Sequence, residues 1–181
     1  MQSKAAMRRT AELTRLQTGV KSDLGHVVAP LVARSAYVAS YQPVPGEPFV
    51  QPQLGWLLPV LLPDGDLDWA RNTGEYVENH LGIREPAGPR LGVLEIAACD
   101  LVLVPALLVD RQGYRLGRGG GSYDRALARA TGLTVALLHD GELVDQVPVE
   151  PHDVPVAAVA TPTLGIVRLP ASELGPLDQG Q

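Results

Sequence analysis

A chain of 181 residues holds one domain with a single sizeable core and would be cramped as two. Its composition, 45% hydrophobic and 19% charged with a formal net charge of -5, is globular and lacks the clustered basic residues and high pI of a nucleic-acid binder. The single cysteine, Cys99, excludes an intrachain disulfide framework and argues against a thiolate metal site; no apolar run reaches bilayer length, and the basic start (Lys4, Arg8, Arg9) is not followed by the apolar stretch of a secretory signal, so a cytoplasmic monomer without membrane or nucleic-acid partners is expected.

Aromatic residues are scarce, so the core must rest on Leu, Val, Ala and Ile. Ser3 is placed to cap a first helix running to about Leu16, with Leu13 and Leu16 as its apolar stripe and Gly19 as its stop. The stretch from Leu24 to Arg34 reads as a second helix, against which Pro30 speaks. Ala36 to Ser40 reads as a short strand, the segment from Gln42 to Pro52 with its four prolines as an exposed loop, and Leu57 to Leu62 as a buried strand. Leu67 to Leu81 is mixed in pattern and is assigned a short irregular helix, followed by a turn-rich segment from Arg84 to Pro89. Leu101 to Pro105 is a buried strand, Arg111 to Ser122 a glycine-rich loop, and Tyr123 to Ala130 the helix that follows it. Leu133 to Leu138 and Val156 to Ala160 are further strands. Strands that alternate with helices and are apolar on both faces predict an α/β fold, helices covering a largely parallel sheet. One domain over residues 1–170 and a loose tail over 171–181 are expected.

The chemistry concentrates in Arg115-Leu-Gly-Arg-Gly-Gly-Gly-Ser-Tyr-Asp-Arg125. Gly117, Gly119, Gly120 and Gly121 free the backbone to bring its N–H groups to an anion. A helix opening near Tyr123 adds its positive end, Arg115 and Arg118 offer guanidinium forks for phosphate oxygens, and Asp124 can hold a divalent cation bridging them. The loop is neither of two common nucleotide cradles. No Gly-Lys pair exists for a P-loop, and a GxGxxG begun at Gly117 meets Ser122 where the last glycine should stand. A plain surface turn would explain four glycines, but not two arginines and an acid beside them.

That run resembles the signature of the 5-formyltetrahydrofolate cyclo-ligases, the methenyltetrahydrofolate synthetases. The lead-in from Asp100 to Tyr114, the Leu-Leu-Pro-Val-Leu strand at 57–61, Gly-Ile-Arg-Glu-Pro at 82–86, Val-Pro-Val-Glu-Pro-His-Asp at 147–153 and the Lys4-x-x-x-Arg8 pair are similar to that family's other elements in order and spacing. The resemblance covers essentially residues 4–162. It implies a three-layer α/β/α sandwich with a mostly parallel sheet, related to the ribose-phosphate isomerase and CoA-transferase folds. It also implies ATP and Mg²⁺ as requirements, and conversion of 5-formyltetrahydrofolate to 5,10-methenyltetrahydrofolate with release of ADP and phosphate. The formyl oxygen would attack the γ-phosphate, and the neighbouring amine nitrogen would close the ring as phosphate leaves, a reaction that asks for positioning and charge neutralisation more than for acid–base work.

Carried over residue by residue, the resemblance gives Lys4, Arg8, Arg115, Gly117, Arg118, Gly119, Gly120, Gly121, Ser122 and Tyr123 to the nucleotide, with Lys4, Arg115 and Arg118 nearest the chemistry. It gives Asp124 and Asp153 to the metal. Glu47, together with Arg118, Gly119, Gly120, Gly121 and Ser122, goes to the folate, a carboxylate suiting the paired donors of a pterin edge. His152 is left outside the catalytic set, as a histidine beside a proline-rich turn. Two departures stand out: Pro48 and Pro52 follow Glu47 where the family continues into a helix, and Ser122 replaces a common aromatic. Trp56, Trp69 and Cys99 are assigned to the core or pocket wall. A phosphosugar isomerase or acyl-CoA transferase on a similar fold lacks support, because no strand-end catalytic glutamate motif is found. A non-catalytic nucleotide- or folate-binding relative is the other alternative.

Overall fold

The computed structural model describes residues 1–174; residues 175–181, most of the tail expected to be loose, lie outside the described residues. Helix α1 (Lys4–Thr18) begins where the Ser3 hydroxyl accepts from Ala6 N–H at 3.2 Å, and ends at Gly19, whose left-handed backbone lets its N–H reach the Arg15 carbonyl. The expected Leu13 and Leu16 stripe is a correction: both are exposed, and the helix buries Ala11 and Arg15 instead. Its inner face meets polar partners, so an apolar count points to the wrong side. Helix α2 (Gly25–Ala33) runs through Pro30 and buries Val28 and Leu31.

Strands β1 (Val38–Ala39) and β2 (Leu57–Leu61) follow, and the loop between them is less exposed than its prolines suggest, since Pro48, Val50 and Pro52 are buried. The helix expected over 67–81 does not form. That stretch holds β3 (Leu67–Arg71), antiparallel to β2, and β4 (Tyr76–Glu78). The cause is the Asp64-Gly65 turn: Gly65 takes φ 84° and reverses the chain, and Leu67, Trp69 and Ala70 are buried. The segment expected to be only turns contains β5 (Arg84–Pro86), which pairs antiparallel with β4.

A 3-10 turn (Glu95–Ala98) leads into β6 (Leu101–Pro105), then β7 (Leu108–Asp110), β8 (Arg115–Leu116), α3 (Ser122–Leu127), β9 (Leu133–Leu137), β10 (Leu143–Val144), β11 (Ala158–Thr161), β12 (Gly165–Arg168) and a 3-10 turn (Pro170–Leu174). Helix α3 stops short of the expected Ala130, and β7, β8, β10 and β12 were not anticipated, being too short or too plain to show a period. The main sheet has the order β12-β11-β9-β6-β1-β2-β3. Its five middle strands are parallel and both edges antiparallel.

Alternate residues of the parallel strands feed two cores. Leu101, Leu103, Val135 and Leu137 pack with Leu24, Val28 and Leu31 on the α2 face. Val102, Val104, Ala136 and Leu138 pack with Ala126, Leu127 and Ile96 on the face of α3 and the first 3-10 turn. Fully apolar strands follow from being covered on both faces, as the α/β expectation required. From β1 the chain moves outward to β2 on one side, and from β6 outward to β9 and β11 on the other. The gap beyond the carboxyl ends of β1 and β6 is therefore the topological switch point, where open α/β sheets bind ligands.

The other ends of these strands are tied through Asp100. Asp100 Oδ2 accepts from Ala36 and Tyr37 N–H at 2.8 and 2.9 Å, and Leu133 N–H donates to the Asp100 carbonyl. A Cβ at Gly132 would lie 2.2 Å from the Cys99 carbonyl oxygen and 2.6 Å from that of Asp100. Gly132→Ala must push the starts of β6 and β9 apart. The expected loss is about 1–3 kcal/mol, seen in thermal unfolding as a Tm lower by several degrees.

Candidate active site

A cavity of about 1080 Å³ opens at the switch point. Tyr41 and Gln42 line it from the end of β1, Pro59 and Leu61 from β2, and Pro105 and Ala106 from the end of β6. The glycine loop closes one side, α1 another, and the tip of the β4–β5 hairpin a third.

Strand β8 delivers Arg115. The hairpin before it is set by Asp110, whose Oδ1 accepts from Gln112 and Tyr114 N–H, both at 3.0 Å. The Arg115 side chain is only 6% exposed; Nη1 donates to the Pro105 carbonyl at 3.2 Å, Nη2 stands 3.9 Å from Asp124 Oδ1, and the guanidinium lies 5.5 Å from the Tyr123 ring centre. Its Nε has no partner among the described residues. Burial works against the Arg115 charge and lowers its pKa, with Asp124 opposing that effect. Gly117 makes this fold-back possible, because a Cβ there would lie 2.5 Å from Arg115 Nη1. Gly119 takes φ 107°, a left-handed backbone that favours glycine, and beside it Arg8 Nε donates to the Gly117 carbonyl at 2.8 Å. Helix α3 is held from its other end. Arg129 binds Asp66 through both nitrogens, keeping that carboxyl down to about 2, and Arg125 Nη1 donates to the Asp64 carbonyl. Tyr123 and Asp124 are thereby fixed against the β2–β3 turn. A helix of six residues contributes little dipole, so the positive character expected at its start rests on the arginines and the loop N–H groups.

Lys4 and Arg8 share a helix face as expected, but meet different partners. Lys4 Nζ donates to Asp153 Oδ2 at 2.6 Å and Glu150 Oε2 at 2.8 Å. Burial, which opposes the ammonium charge, is outweighed by these two carboxylates, and the Lys4 pKa lies above its usual value. Asp124, His152 and Asp153 converge so that one ligand atom from each lies within 4.8 Å of the others. Two carboxylates are a suitable donor set for Mg²⁺, which keeps several waters. His152, set aside on sequence grounds, joins this cluster.

Glu47 sits across the cavity, its side chain 10% exposed. Oε2 accepts from Val44 N–H at 2.9 Å, and Oε1 lies 3.7 Å from Nε of the half-exposed Arg118. Burial raises its pKa above the usual carboxylate value; the Val44 bond and Arg118 only partly compensate. Gln42 Oε1 and the Tyr123 hydroxyl are buried nearby without partners among the described residues. Ser122, Gly120 and Gly121 line the same wall. All the candidate site residues named from sequence line this one cavity, whereas Trp56, Trp69 and Cys99 are buried in the core. Sequence reasoning missed Arg15, Tyr41, Gln42 and the hairpin residues Asn79 and Glu85. Tyr41 and Gln42 were findable, because they follow a short strand at the centre of the sheet. The hairpin was hidden by the mistaken helix.

Residues 8–162 match the 5-formyltetrahydrofolate cyclo-ligase family. A relative from Mycolicibacterium smegmatis named 5-formyltetrahydrofolate cyclo-ligase is 44% identical over 148 residues, 73% of this chain and 76% of its own length. One of the same name from Escherichia coli K12 is 40% identical over 92 residues, 49% of this chain and 50% of its own. Among solved structures, 5,10-methenyltetrahydrofolate synthetase from Aquifex aeolicus superposes with a TM-score of 0.71 at 25% identity, covering 92% of this chain and 93% of that one. The synthetase from Mycoplasma pneumoniae, 18% identical with a TM-score of 0.66 over 87% of this chain and 98% of its own, shares the fold. A match running from α1 to β11 takes in the whole parallel core and both sides of the cavity, and the chain belongs to the 5-formyltetrahydrofolate cyclo-ligase family of enzymes.

Proposed function

We propose that this chain converts 5-formyltetrahydrofolate to 5,10-methenyltetrahydrofolate with consumption of Mg-ATP, releasing ADP and phosphate, and that it does so as a cytoplasmic monomer. The observation that carries the reading is a single cavity with two opposed halves. One presents a buried guanidinium, Arg115, with a nitrogen unpartnered among the described residues, beside a glycine loop and a carboxylate cluster. The other presents a buried carboxylate, Glu47, among Tyr41 and Gln42. The first suits a polyphosphate, the second the donor edge of a pterin.

Mg-ATP would supply the phosphoryl group that turns the formyl oxygen into a leaving group, with the divalent ion spreading the charge of the transfer. Arg115, Arg8 and Lys4 would hold the phosphates, and Gly117, Gly119, Gly120 and Gly121 would bring loop N–H groups against them. Asp124 and Asp153 would hold the metal, Lys4 giving up part of its contact with Asp153. Glu47 would fix the pterin so that the formyl oxygen lies toward the loop. Arg118, between Glu47 and the loop, touches both halves and would stabilise charge on the oxygen being transferred. Tyr123 and Ser122 would wall the transfer from water.

The test is a spectroscopic assay for the methenyl product. Product formation should require both ATP and Mg²⁺. Arg115→Ala should lower kcat/KM about 100- to 1000-fold, and Asp124→Asn should raise the Mg²⁺ concentration needed for half-maximal rate. A folded protein that binds ATP but forms no product would refute the ligase reading.

Glu47 gives a pH-dependent check. Only its ionised form accepts both pterin donors, so kcat/KM for the folate should rise as pH climbs through its elevated pKa, above the usual carboxylate range. Glu47→Gln should remove that rise and increase the folate KM roughly 10- to 100-fold, the value of a charged hydrogen bond.

A further inference from the structure

We propose that His139 is a positioning residue for the folate half of the site, holding Glu47 in place through a hydrogen bond to the preceding residue; the inference rests on Glu47 being the group that takes the pterin. His139 follows β9 and is 6% exposed. It lines a second cavity of about 640 Å³ bordered by α1 rather than the cavity of the site, so it touches no substrate. Its Nε2 lies 2.9 Å from the Gly46 carbonyl. A carbonyl only accepts, so Nε2 carries the proton; in the neutral ring Nδ1 is then the acceptor, and the Ser22 hydroxyl at 2.7 Å donates to it.

The turn bearing Glu47 has two kinds of bond. Internal ones, Val44 N–H to Glu47 Oε2 and Glu47 N–H to the Val44 carbonyl, fix its shape but not its place. Attachment to the body comes from elsewhere. The Tyr41 hydroxyl donates to the Pro48 carbonyl, Phe49 N–H donates to the Ser22 carbonyl, and Leu24 N–H to that of Phe49. These anchors all follow Glu47. Among the described residues, His139 supplies the side-chain anchor on Gly46, just before it, at a glycine with φ 89° about which the turn would otherwise swing.

The main chain that carries the imidazole is held as well, through the His139 backbone N–H. His139 N–H donates to Glu142 Oε2 at 2.9 Å, and that carboxylate is gripped by Arg15 through two bonds of 2.7 and 2.8 Å. Arg15 Nη2 also donates to the Ala106 carbonyl at 2.6 Å, at the end of β6. The place of Glu47 is thus referred to the same strand end that receives Arg115 through Pro105.

Two variants separate the ring's two bonds. A glutamine can keep a donor near Nε2, whereas an asparagine reaches only to the Nδ1 position. His139→Asn should raise the KM and the calorimetric Kd for 5-formyltetrahydrofolate about five- to tenfold, with KM for Mg-ATP changed less than about twofold. His139→Gln should return the folate constants to within about twofold of the unaltered protein. Ser22→Ala, which frees the tautomer without emptying the site, should weaken folate binding about two- to fivefold and serves if the asparagine variant does not fold. Unchanged folate constants in a folded His139→Asn or Ser22→Ala protein would overturn the proposal. So would a joint decline of kcat and both KM values that glutamine does not rescue. Glu47→Gln is measured alongside: if it leaves folate affinity intact, the reading of Glu47 itself fails, whereas weakened folate binding there with none in His139→Asn removes only the positioning role.

Discussion

Arg115 is taken almost wholly out of water, and a buried charge is tolerated only where partners replace its hydration. The protein supplies some of them: a carbonyl from the end of β6, a carboxylate at the edge of ion-pairing range and an aromatic face. It leaves one nitrogen bare among the described residues. On the proposed reading an anion meets the remaining demand, and much of the surrounding structure serves to hold the guanidinium in place. Gly117 has no side chain because the guanidinium lies there, and Asp110 shapes the hairpin that aims it. Asp66 and Arg129 pin the helix that bears Tyr123 and Asp124.

Helix α1 answers a related demand from the other side. It crosses the carboxyl end of the sheet on a buried ion pair, Arg15 with Glu142, instead of an apolar seam. Such a pair adds little net stability compared with packed hydrocarbon, but it fixes direction and register. Direction matters here because the first turn of the helix must bring Lys4 to Asp153, and the second must bring Arg8 to the loop. The polar seam also borders the second cavity, so one network serves the wall of the site and the support behind Glu47.

The parallel core and the glycine loop were legible in sequence because each follows from local chemistry. Leu101 to Pro105 and Leu133 to Leu138 are apolar on both faces, and RLGRGGGSYDR gathers its charges within a dozen residues. What stayed hidden is what tertiary context decides. Leu13 and Leu16 look like a helix's inner face, yet the face is set by Arg15, whose partner lies 127 residues away. The β4–β5 hairpin is too short to show alternation, and it is secured by Glu85 accepting from Leu61 N–H, a contact no periodicity foretells. The Asp64-Gly65 turn was a readable hairpin signal that the mixed pattern after it obscured. His152 is polar and exposed, and only the fold brings it beside Asp124.

The span of the α1 contacts bears on how the molecule is made. Lys4 meets Glu150 and Asp153 across 146 and 149 residues of chain. Helix α1 therefore finds these partners only after the long stretch of chain between them has been synthesised. Contacts of such sequence separation form late and slow the search for the native state. By that principle the sheet can begin to assemble on its inner strands while the cavity still lacks the wall that α1 supplies.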